Sequence, residues 1–106
     1  MDMSQHDQEP HELLKDHRES IDRLDAVVVY TLAERFKHSH AIGRIKLVHD
    51  LPVSDPKREA SQMTRIEGLA ANTDMDPQFA CRLFRFIMDE VVKDHRLKKE
   101  NQSTDS

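Results

Sequence analysis

The chain has 106 residues, room for one domain at most. Its 16 Lys and Arg against 20 Asp and Glu leave a net charge of −4, which excludes a general nucleic-acid or membrane-surface binder, since those need a basic excess. An apolar share of 37% argues against wholesale disorder, and only 2 Gly and 4 Pro exclude an all-β or collagen-like chain and point to a few long helices.

Residues 1–10 read as a mobile polar tail and residues 100–106 as another, with one helical domain over 11–99. The first 16 residues hold no apolar signal core, and no apolar run nears the ~18 residues of a membrane helix. The expectation is a soluble, cytoplasmic protein.

The first predicted helix covers about residues 11–49. Its apolar residues are Leu14, Ile21, Leu24, Val28, Leu32, Phe36, Ile42 and Ile45, spaced by threes, fours and their multiples. Such a helix would be ~55–60 Å long, too long for a globule whose radius of gyration would be ~13 Å. Its apolar stripe then needs a cover, and the simplest is a second copy of the chain. Gly43 inside it costs about 1 kcal/mol relative to Ala, and marks either a close neighbour or a bend.

Pro52 ends that helix. Ser54 or Asp55 caps the second, with Pro56 in its first turn and Met63, Ile66, Leu69 and Ala70 on its apolar face. Asp76-Pro77 opens the third. Its stripe is Phe79, Ala80, Leu83, Phe84, Ile87, Met88, Val91 and Val92. The predicted fold is all-α, with three helices per chain, one very long, in an intertwined homodimeric bundle.

Several charges lie beside these stripes. Arg35 and Lys46 are about 20° apart around the helix and ~16 Å along it, so both can reach one small anion. Arg18 lies about 26 Å from Arg35 along the axis and cannot share that anion on its own helix. In an antiparallel dimer it can reach the middle of the partner helix. Arg58 and Glu59 stand in the second helix's first turn, beside backbone N–H groups able to hold an anion and a hydroxyl. His95 continues the line of Phe84, Met88 and Val91 toward the core. Plainer roles fit the same residues: the cations can pair with Asp22, Asp25 and Glu34, and His95 can be a satisfied core histidine.

The remaining signals are weak. Lone Cys81 excludes an internal disulfide and any Cys-based zinc or iron–sulfur framework within one chain, and reads as a small buried helix residue. His38 and His40 point to different faces, and Ser39 beside them has no orienting partner for a nucleophilic triad.

The strings Arg18-Glu-Ser-Ile-Asp-Arg-Leu-Asp25, Leu32-Ala-Glu-Arg35, Ile42-Gly-Arg-Ile-Lys46 and Pro52-Val-Ser-Asp-Pro-Lys-Arg58-Glu59 resemble the all-helical chorismate mutases. So does Phe79-Ala-Cys-Arg-Leu-Phe-Arg-Phe-Ile-Met-Asp-Glu; the resemblance covers about residues 12–98. It implies two interlocked subunits with two active sites that convert chorismate, a small dianion, to prephenate. That reaction is a unimolecular Claisen rearrangement and needs no nucleophile, metal or cofactor. Catalysis is selection of the folded substrate and stabilisation of charge at the ether oxygen.

Residue by residue, the resemblance implies that Arg18 reaches the other subunit's site and pairs with a substrate carboxylate. Arg35 and Arg58 help clamp the dianion. Lys46 contacts the ether oxygen and a carboxylate. Asp55, through its backbone N–H, and Glu59 hold the ring hydroxyl. Two positions depart: His95 stands where bacterial members have a Gln and a fungal branch a Glu, and Val91 stands where the family has a helper serine. A histidine donor implies activity at neutral pH that rises as the ring gains charge. An isochorismate-pyruvate lyase or an aminodeoxychorismate mutase would use the same scaffold, though Glu59 suits the hydroxyl of chorismate. A non-catalytic helical dimer would not need Lys46 and His95 aimed inward. Some members of the family work in complex with another shikimate-pathway enzyme; the sequence names no such partner.

Overall fold

A computed structural model describes residues 9–104. The first eight residues of the predicted amino-terminal tail and the last two of the carboxy-terminal one lie outside the described residues. Three helices follow in order: α1 (Pro10–Val48), α2 (Pro56–Asn72) and α3 (Pro77–Thr104). Each begins at a proline, whose missing N–H is harmless in a first turn and whose φ is already helical. The all-α class and the three predicted elements are therefore present, with α1 an unbroken 39-residue helix that contains Gly43.

The helix ends are built from short polar side chains. Asp55 caps α2, its carboxylate accepting the Arg58 N–H at 3.1 Å, and Asp76 accepts the Gln78 N–H at 3.0 Å ahead of α3. This decides between Ser54 and Asp55. Both earlier helices stop at a left-handed aspartate, Asp50 (φ 52°) and Asp74 (φ 57°). Beyond each, an amide reaches back five residues: Leu51 N–H to the Lys46 carbonyl at 2.8 Å, and Met75 N–H to the Ala70 carbonyl at 3.0 Å. Pro52 thus follows a stop that Asp50 has already made. Asp55→Ala should cost about 1 kcal/mol, read as a lower midpoint in a thermal melt followed by circular dichroism. An unchanged midpoint would show that Pro56 alone starts α2.

The chain forms two packing units, divided within α1 between Phe36 and Lys37. In the first, Leu14, Ile21, Leu24 and Val28 are exposed, Ile21 by 54% and Leu24 by 61%. In the second, α2 packs on α3. Ile66, Ala70 and Ala80 form the centre of that contact, with Phe84 against them. Ile87, Met88 and His95 are also buried.

Two predicted details change. Leu69, Phe79 and Leu83, placed inside by periodicity, are exposed, because a core between two helices buries a narrower arc than the full apolar stripe. The predicted tail from residue 100 is helical through Thr104. Lys, Glu, Asn and Gln there carry no helix breaker, and Lys98 pairs with Asp94 one turn back at 3.1 Å.

Candidate active site

Lys46 lies in the last turn of α1, where a cation favours the carbonyl end of the helix. Its Nζ donates to the Val53 carbonyl at 3.0 Å, while its own carbonyl accepts the Leu51 N–H. Backbone and side chain together therefore tie the 51–53 turn to Lys46. The ammonium has three N–H donors, so this bond uses one and leaves capacity for a ligand.

The next residue, Ser54, lines a cleft of about 410 Å³. Glu59, in the first turn of α2, lies in the same wall. The α3 wall carries Arg85, Asp89, Lys93 and Arg96, with Val92 and Leu97 as its apolar part. Arg85 Nη1 stands 3.9 Å from Glu59 Oε2. The Glu59 side chain is 23% exposed, so this pair is less screened by water than one on the open surface. Three cations face two carboxylates in this cleft, a local positive balance in a chain of net charge −4. The volume and balance suit a small anion.

Arg85, Lys93 and Arg96 were not among the residues singled out from the sequence. Their signal was available: Arg85 and Arg96 have the eleven-residue spacing that puts Arg35 and Lys46 on one helix face, about 20° apart.

His95 is 6% exposed and lies outside that cleft's lining. Its Nε2 is 3.0 Å from the Ser39 carbonyl oxygen on α1. Gly43 makes room for the ring: a Cβ there would stand 2.6 Å from both Cδ2 and Nε2. Of the two roles open to Gly43, the structure shows a close neighbour. His95 Nδ1 is buried with no hydrogen-bond partner. Leaving such a group unpaired costs about 1–3 kcal/mol.

The other predicted residues are placed as follows. Val91 is half-buried on α3. The Arg58 side chain is exposed, and its N–H is taken by the Asp55 carboxylate, so that first-turn amide is not open to an anion as expected. Arg18 is exposed and Arg35 half-buried in the first unit. Cys81 is only partly buried, with Sγ 3.7 Å from Glu67 Oε1. Burial pushes its thiol up, Glu67 adds to the rise and Arg85 opposes it, so it stays protonated at neutral pH and is a poor nucleophile.

A long helix with a cation in its last turn, a short capped helix and a third that lines a charged cleft with it define an all-helical domain. The model of the chorismate mutase type II family matches residues 17–96, and the chain belongs to that family. Over 81 residues it is 41% identical to the bifunctional chorismate mutase/prephenate dehydratase of Neisseria gonorrhoeae, covering 76% of this chain and 22% of that protein. The Escherichia coli K12 protein of the same name is 33% identical over 75 residues, 71% of this chain and 19% of its own length. The chorismate mutase of Methanocaldococcus jannaschii is 27% identical over 78 residues, 74% of this chain and 79% of that protein. The chain thus spans about a fifth of the length of the bifunctional relatives and matches most of the archaeal one.

Proposed function

We propose that this chain catalyses the rearrangement of chorismate to prephenate. The observation that carries the reading is the family match over residues 17–96, which contains Arg18, Arg35, Lys46, Asp55, Arg58, Glu59, Val91 and His95. In the proposed reaction the ether C–O bond breaks as a C–C bond forms within one molecule, so the protein has to fold the substrate and stabilise charge. Arg35, Arg58 and an Arg18 from a second subunit hold the two carboxylates. Lys46 and His95 face the ether oxygen. The Asp55 backbone N–H and Glu59 hold the ring hydroxyl, while Asp55 Oδ1 accepts the Arg58 N–H as the cap of α2.

The active form in this reading is a homodimer. The exposed stripe of Leu14, Ile21, Leu24 and Val28 supports it, because a second α1 would remove that apolar surface from water. The reading places the enzyme in the cytoplasm. A prephenate-consuming enzyme is the class of partner it implies, as the names of the bifunctional relatives suggest. Val91, in the helper serine's place, provides no hydroxyl, so one hydrogen bond to a carboxylate is missing and substrate binding is weaker for it.

Purified chain should remove chorismate absorbance and yield prephenate, while isochorismate and aminodeoxychorismate supplied side by side are left unconverted. Turnover of either of those in preference to chorismate would reassign the substrate. No turnover of any of the three, with no rise in melting temperature on adding chorismate, would return the chain to a non-catalytic helical dimer.

A further inference from the structure

We infer that Gly43 and the Ser39 carbonyl form a cradle that sets the tautomer of His95, so that the ring can act on substrate only through Nδ1 and only when protonated. The inference rests on the proposed chorismate rearrangement and specifies how its second donor works. A backbone carbonyl can only accept, so at 3.0 Å from the Ser39 oxygen the His95 Nε2 carries the hydrogen and donates it. In the neutral ring this leaves Nδ1 as an acceptor, with no proton to give. Gly43 fixes the ring's position, since the atoms a Cβ would meet first are Cδ2 and Nε2, followed by Cε1 at 3.3 Å. Nδ1 lies on the opposite edge of the ring, and it is the ring nitrogen without a partner.

A developing negative charge on an ether oxygen needs a donor, and the neutral Nε2–H ring offers that oxygen a lone pair instead. Taking one proton from solvent turns Nδ1 into a donor while the bond to Ser39 persists. No proton is transferred in the rearrangement, so the ring starts and ends the cycle as imidazolium. His95 is then the catalytic residue, and Gly43 and Ser39 are positioning residues. The sign of the pH effect follows: the donor is present at low pH and is lost as pH rises and the ring discharges. A glutamine at this position would donate at every pH.

The ionisable groups within about a turn of Ser39 and Gly43 on α1 are Arg35, Lys37, His38, His40, Arg44 and Lys46, with His40 3.5 Å from Asp94 and Lys46 bound to the Val53 carbonyl. Within a turn of His95 on α3 they are Lys93, Asp94, Arg96, Lys98 and Lys99, with Lys98 3.1 Å from Asp94. His40 is the imidazole paired with the residue next to His95, so its variant is the control.

Nitrogen NMR of the wild-type imidazole, across pH, tests the cradle without any need for turnover. At high pH His95 should show a protonated Nε2 and a bare Nδ1; a protonated Nδ1 and bare Nε2 would overturn the inference. In chorismate turnover, wild-type kcat should fall by about tenfold per pH unit once the ring discharges, with little change in KM. His40→Asn should keep that profile and His95→Gln should flatten it. Gly43→Ala should cost about 10²-fold in kcat by displacing the ring, and little more when added to His95→Ala. Wild type and His95→Gln sharing one pH profile would overturn the inference even in an active enzyme. An inactive chain with the Nε2–H ring would overturn the proposed function and the catalytic use of His95, but leave the cradle as a structural fact.

Discussion

Lys46→Ala is expected to lower kcat by about 10²–10³-fold, with a smaller change in KM. In the proposed site the ammonium is a permanent charge aimed at the ether oxygen, whose charge changes during the reaction, beside the imidazolium inferred for His95. A carboxylate clamp binds ground state and transition state alike, so its loss shows mainly in KM, whereas loss of the ether-oxygen donor shows in kcat. Lys46 also bonds the Val53 carbonyl, and removing it frees the turn that leads to Ser54 and Asp55. That structural share should be small, about 1 kcal/mol, and a thermal melt of the same variant measures it. A variant that keeps more than a tenth of wild-type kcat would sink the assignment of Lys46 to the ether oxygen.

Inactive Arg18→Ala and Lys46→Ala chains, mixed and allowed to exchange subunits, should recover about a quarter of wild-type activity. Half of the randomly formed dimers hold one chain of each kind. In each of these, one site combines the intact Lys46 of one chain with the intact Arg18 of the other, and the second site carries both substitutions. The expected outcome rests on the proposed shared site and agrees with helix geometry, since about 26 Å of axial separation keeps Arg18 from a small ligand held by Arg35 of the same helix. A confirmed mixed dimer with no recovery would mean that each site is built from one chain.

The local features of the fold were legible because their causes are local. Prolines at 56 and 77 and caps at Asp55 and Asp76 act within a turn of where they stand, and the structure starts α2 and α3 there. The helix stops were harder to read. Asp50 and Asp74 take the left-handed conformation usually supplied by glycine, so the expected residue type was missing and Pro52 received the credit. Periodicity chose the apolar faces of α2 and α3 but could not choose how much of each would meet a partner, which is why Leu69, Phe79 and Leu83 point outward.

By itself the sequence determined three helices, their starting points and a set of cations in a family-specific order, since each depends on spacing along one helix or within one turn. Tertiary structure decided what those residues meet. Ser39 and His95 come into hydrogen-bonding contact across 56 positions of chain, and Gly43 is the opening that admits the ring. The pairing of Glu59 with Arg85 and the cleft they share depend likewise on how α2 lies against α3. Helical spacing says which side chains share a face; only packing says which carbonyl, glycine or carboxylate lies opposite, and that choice sets the tautomer of His95 and the charge around Glu59.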